Sequence, residues 1–140
     1  MTGTFDESGI HFRFPTNWKM EREKNDDGWT VIVQSPDTAF MMVCLREDLP
    51  NTEDLIDAAL AALKDDYPQL ESEERSETFA GQPAIGHDIE FFSLDLTNTC
   101  WTRSFYSPQG TVLVLCQTCD QEGNEPVLRA ICASMTVDDD

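Results

Sequence analysis

Positive charge is what this sequence has least of. Nine Lys and Arg stand against 27 Asp and Glu, a net charge of −18 at pH 7. The basic residues are scattered from Arg13 to Arg129 and form no run. Such a surface repels duplex DNA, RNA and anionic bilayers at long range, so nucleic-acid binding is not the expected function. No stretch approaches the ~20 apolar residues of a membrane span. Met1–Glu7 has no basic region followed by an apolar run, so it does not read as a secretory signal, and a cytoplasmic protein is expected. Glycine is sparse: the 7 present are scattered and make no phosphate-cradling loop. A G-x-S-x-G elbow, an H-E-x-x-H pair and a calcium-loop pattern are all missing. Cysteine is present but odd in number, at 5, which suits free thiols in a reducing compartment better than a disulfide framework.

The chain does have apolar mass. Its hydrophobic fraction is 40%, with 8 Phe and 3 Trp. A single domain of 140 residues buries roughly 68–70% of the surface its unfolded chain exposes, so no metal or disulfide is needed to hold it. The acidity has two readings, plain solubility or a basic partner.

Hydrophobic periodicity then sorts the elements. Ile10, Phe12 and Phe14 alternate as a strand that Pro15 ends. The charged stretch from Glu21 to Gly28 reads as a turn or an exposed hairpin tip. Trp29–Gln34 is β-branched and strand-like. Phe40–Leu45 and Val112–Cys116 are continuous apolar runs of strand length, expected inside a sheet covered on both faces. Asn51 or Thr52 offers an N-cap, Glu53 and Asp54 sit in the first turn, and Tyr67-Pro68 stops a helix over about Thr52–Asp66. Its stripe is Leu55, Ile56, Ala59, Leu60, Ala62 and Leu63. Glu71–Phe79 suits an edge strand, Ala80–Pro83 a turn, and Ala84–Leu94 another strand. The chain is expected to turn around Leu96–Asn98 into a strand over Cys100–Tyr106, and again at Ser107–Gly110. Asn124 and Pro126 open a last helix with Val127, Leu128, Ile131, Cys132 and Met135 on its apolar face. Residues 1–8 and 136–140 read as flexible ends. The order β-β-β-α-β-β-β-β-α predicts one α+β domain over residues 1–140, a mainly antiparallel sheet flanked by helices.

Four segments together resemble the PsbP-like superfamily. They are the strand, proline turn and tryptophan of Gly9–Trp18, the helix of Thr52–Tyr67 after the first strands, the turn Gly81-Gln82-Pro83-Ala84, and the closing helix with a late serine, Leu128–Met135. That group includes the extrinsic photosystem II protein, a Ran-binding nuclear import factor and small bacterial proteins, some of them chaperone-like toward secretion effectors. The resemblance implies an α/β/α sandwich. All four segments serve folding, so it implies no catalytic residue and leaves the partner open. The opening segment also makes sense alone: after Pro15 the turn carries Trp18 back over the sheet edge to cover Phe12 or Phe14.

Cys116-Gln117-Thr118-Cys119 is the one motif with chemical promise. A redox C-x-x-C needs its first thiol at a helix N-terminus, and the next helix begins too late, near Asn124. If the strand runs through Cys119, the two thiols point to opposite faces. Cys44, Cys100 and Cys132 read as isolated core thiols, each too remote in sequence to complete a zinc set. His11 and His87 read as half-exposed strand residues, and Glu71, Glu73, Glu74 and Glu77 as a solvated strand face. Asp138–Asp140 offers no preformed cation cage. The expectation is therefore a non-enzymatic protein-binding, adaptor or chaperone-like domain with no cofactor, metal or catalytic site. The alternative is a thiol redox or metal-binding protein using Cys116 and Cys119.

Overall fold

The computed structural model describes residues 2–139. Its strands are β1 (Thr2–Glu7), β2 (Ile10–Pro15), β3 (Lys19–Asn25), β4 (Gly28–Gln34) and β5 (Phe40–Arg46). After helix α1 (Thr52–Asp66) come β6 (Glu71–Phe79), β7 (Gln82–Ser93), β8 (Leu96–Ser107) and β9 (Gly110–Cys119), then helix α2 (Glu125–Ala133) and β10 (Thr136–Val137). Seven strands form one sheet in the order β3-β4-β5-β9-β8-β7-β6, and β1-β2-β10 form a second. Every pairing is antiparallel. The expected α+β architecture is thus present, with β5 and β9 inside the large sheet.

The large sheet is covered on both faces. On one side lie β2 and α2: Phe5, Ile10, Phe12, Leu128 and Ile131 share a cluster with Val31, Met41, Val43, Trp101, Phe105 and Val114. On the other, α1 packs across β8, β7 and β9. There Leu60 and Leu63 meet Ile89, Phe91, Cys100 and Leu115. Strand β5 alternates between buried and half-buried, its half-buried Phe40 and Met42 packing against the α1-side cluster, whereas β9 is buried almost throughout. The apolar run Phe40–Leu45 therefore has one dry face and one partly covered face.

Local chemistry explains the boundaries. The Asn51 side chain accepts the Glu53 N–H at 2.8 Å, which makes Asn51 the N-cap of α1. The Tyr67 N–H closes the helix on the Leu63 carbonyl, and the Tyr67 ring stacks on Phe91 with centroids 3.9 Å apart. The Trp18 N–H bonds the Pro15 carbonyl at 3.0 Å, and its ring enters the core cluster with Phe12 and Phe14.

Several expectations are corrected. Residues 2–7, read as a loose end, pair along β2, and Thr136–Val137 pair with its other edge; Phe5 anchors the first of these in the core. Residue 140, within the expected flexible tail, lies outside the described residues, as does residue 1. The charged stretch Glu21–Gly28 does hold a hairpin tip, at Asp26-Asp27, but Glu21–Asn25 before it belong to the edge strand β3 rather than to a turn. The β7–β8 turn is Leu94-Asp95, two residues earlier than expected. Asn124 does not cap α2 through its side chain; its amide donates to Asp37 instead. Among the described residues, no helix is long and apolar enough to cross a membrane.

Candidate functional site

The C-x-x-C motif is separated as strand geometry requires. Both cysteines lie in β9. Cys116 faces α2 within the main core, whereas Cys119 hydrogen-bonds Gln121 at 3.3 Å. The structure brings together a different pair. The sulfurs of Cys116 and Cys132 stand 3.5 Å apart, so Cys132 is not isolated. No spacing rule could have found this pair, because it depends on where α2 docks. Cys100 is isolated in the α1-side core, and burial pushes its thiol up to about 12.

The histidines part company. His87 is buried at 5% exposure rather than half-exposed, and its Nδ1 makes no hydrogen bond among the described residues. His11 is partly exposed, with Nδ1 2.9 Å from Asp6 and Nε2 3.0 Å from Asp138. A neutral imidazole can donate from only one nitrogen, so two flanking carboxylates favour the cation. The hydrogen bond to Asp138, aided by Asp6, accordingly raises its pKa above the usual 6.5. A raised pKa means that this clasp between β1, β2 and the C-terminal segment is at full strength below about pH 6.5 and is lost as pH rises through the folded-state value. An NMR titration of His11 is expected to give a midpoint above 6.5, and Asp138→Asn to move it back down. A midpoint at or below the ordinary value would disprove the clasp.

The carboxylates of β6 are not all idle. Arg103 on β8 is buried at 3% exposure and donates to Glu77, to Asp88 at 2.8 Å and to the Thr102 carbonyl at 2.7 Å. Burial alone would raise the Asp88 pKa, but the bonds and charges of Arg103 and Arg75 outweigh it and hold it below its ordinary value. Nearby, the Arg129 guanidinium lies 3.9 Å from the Trp101 ring centroid. Sequence reasoning missed this network, since a lone Arg in a strand carries no sign of its burial. Among the described residues, no three His, Cys, Asp or Glu side chains converge on a cation site.

Three of the exposed large apolar side chains lie at the β7–β8 tip. Phe92 is 70% exposed, Leu94 92% and Leu96 40%. The turn residues Leu94 and Asp95 both have left-handed φ, 53° and 64°, the pattern of a type I′ hairpin turn. Such turns favour Asn and Gly; the similar turns Ser8-Gly9 and Ala80-Gly81 each contain glycine, and Leu94-Asp95 does not. Beside the tip, a groove of about 460 Å³ runs between the end of α1 and β7, lined by Asp66, Tyr67, Leu70, Glu71, Phe91 and Phe92. Apolar surface is thus rimmed by carboxylates.

No family model matches the chain, and no curated protein matches it. Solved structures do. The cyanobacterial PsbP of Synechocystis sp. PCC 6803 is similar over 98% of this chain and 92% of its own, with TM-score 0.68 and 11% identity. LpqN of Mycobacterium tuberculosis, described as involved in cell envelope biogenesis, is similar over 98% of this chain and 90% of its own, with TM-score 0.55 and 12% identity. At these identities the likeness concerns architecture, and with the strand order and the two covered faces it makes this chain a PsbP-like fold.

Proposed function

We propose that this protein is a non-enzymatic binding domain, an adaptor or chaperone-like subunit, and that it docks a protein partner on the β7–β8 tip. The observation that carries the reading is Leu94. A leucine left 92% exposed at a left-handed turn position is disfavoured both by water and by its backbone. Phe92, 70% exposed, leads from the tip into the neighbouring groove, which it lines with Phe91, Tyr67 and Leu70, and the groove is able to take an apolar side chain. Asp66, Glu71 and Asp95 around it, on a chain of net charge −18, favour a partner segment whose apolar residue is flanked by Lys or Arg. Polyanions are repelled by the same field. Five thiols with no disulfide among them suit a reducing compartment, so we place the protein in the cytoplasm.

Leu94→Asn separates binding from folding. Asn tolerates left-handed φ, so the melting temperature should hold or rise. Affinity for the partner, recovered by pull-down from the native host with mass spectrometry, should fall at least about tenfold, ~1.4 kcal/mol. Unchanged affinity would place the interface elsewhere.

A further inference from the structure

We infer that Cys116 and Cys132 form a thiol–disulfide exchange site, in which Cys132 receives a small organic disulfide and Cys116 resolves it. The two sulfurs are 3.5 Å apart, already at van der Waals contact, and a disulfide needs them at about 2 Å with Cβ atoms about 3.8 Å apart. The approach is asymmetric. Cys116 is fully enclosed, at 0% exposure, whereas Cys132 is at 8% and forms part of the wall of an open groove of about 340 Å³. Trp101, Arg103 and Arg129 line the same groove. A reagent entering from solvent therefore meets Cys132 first and cannot reach Cys116.

The surroundings assign the same order of reaction. A hydrogen bond from the Cys116 thiol favours the Cys132 thiolate, and the Trp101 side chain, Arg129 and Arg103 add to this, so the Cys132 pKa falls. Burial pushes the Cys116 thiol up. The Cys132 thiolate attacks one sulfur of the disulfide RSSR; the S–S bond breaks and RS⁻ leaves. Cys116 then attacks Cys132 in the mixed disulfide, its proton goes to the departing thiolate, and the second R group leaves as thiol. The protein dithiol is oxidised and RSSR is reduced to two RSH. The product ties β9 covalently to α2, where the reduced protein has packing and the thiol–thiol hydrogen bond.

The experiment treats the native protein with hydroxyethyl disulfide, a neutral probe chosen because the acidic surface repels anionic ones. Peptides are then mapped without reduction. The expected result is a Cys116–Cys132 linked peptide, with a higher melting temperature that reverts on reduction. Cys116→Ser should instead accumulate the mixed disulfide on Cys132, since nothing resolves it, and Cys132→Ser should carry no adduct at Cys116. Wild-type protein whose Cys116 and Cys132 both remain thiols after prolonged treatment would overturn the proposal. So would an adduct at Cys116 in the Cys132→Ser protein, or a cross-link from Cys116 to Cys119.

Discussion

Trp18→Ala is expected to destabilise the protein by about 3–5 kcal/mol. The indole is 6% exposed and sits in the cluster that joins the small sheet to the large one. Its backbone is fixed by the bond to the Pro15 carbonyl, so the chain cannot easily move inward to fill the space. The cost is then the lost apolar transfer together with an unfilled cavity, the combination that gives the upper part of the range for large-to-small changes. Urea unfolding measures it: the midpoint should fall with little change in slope. A midpoint unchanged within error would show that the ring contributes nothing to the core.

Removing both carboxylates from Arg103 is expected to cost as much, for a different reason. In Glu77→Ala with Asp88→Ala, the guanidinium stays enclosed, its side chain 4% exposed, with only the His87 and Thr102 carbonyls as acceptors. Stranding a buried charge in this way costs about 3–5 kcal/mol. Adding Arg103→Met should recover most of that loss, because an apolar side chain of similar length needs no partner. The pH dependence follows from the depressed Asp88 pKa. Its contribution is present above the ordinary carboxyl value of 3.8 and is lost as pH falls through the lower folded-state value. The double variant should lose this part of the acid-side slope. Stability that stays low after Arg103→Met is added would locate the damage in packing rather than in charge.

These two sites differ in how far the sequence announced them. Trp18 was readable because Pro15 stops the strand and a tryptophan follows within one turn, a local pattern. The helix over Thr52–Asp66 was readable because its stripe lies within it and its cap and stop, Asn51 and Tyr67, lie immediately on either side. Separation of Cys116 from Cys119 followed from the two-residue period of a strand. By contrast, β3 has every residue exposed, so it leaves no alternation for a pattern to detect. The first strand, β1, buries only Phe5, and one buried residue makes no period. Leu94-Asp95 hid its turn because neither residue is a usual turn former. The Arg103 network and the Cys116–Cys132 contact are tertiary: they exist only once β8, β9 and α2 are assembled. The candidate site was therefore less legible than the fold, since it is built from residues that defy local preference or meet across long stretches of chain.

The two outermost strands of the large sheet have a consequence for how this molecule behaves in a crowd. Both β3 and β6 present open rows of N–H and C=O groups, an invitation for another copy to stack on and for fibres to grow. Yet β3 reads Lys-Met-Glu-Arg-Glu-Lys-Asn and β6 Glu-Ser-Glu-Glu-Arg-Ser-Glu-Thr-Phe. A β6 row approaching its own copy brings four Glu against four Glu, and like charges set directly opposite one another oppose pairing. The acidic edge β6 thus carries its own repellent border, while β3 sets Lys and Arg among Glu, a charged and fully exposed row that offers no apolar face for a second copy to bury.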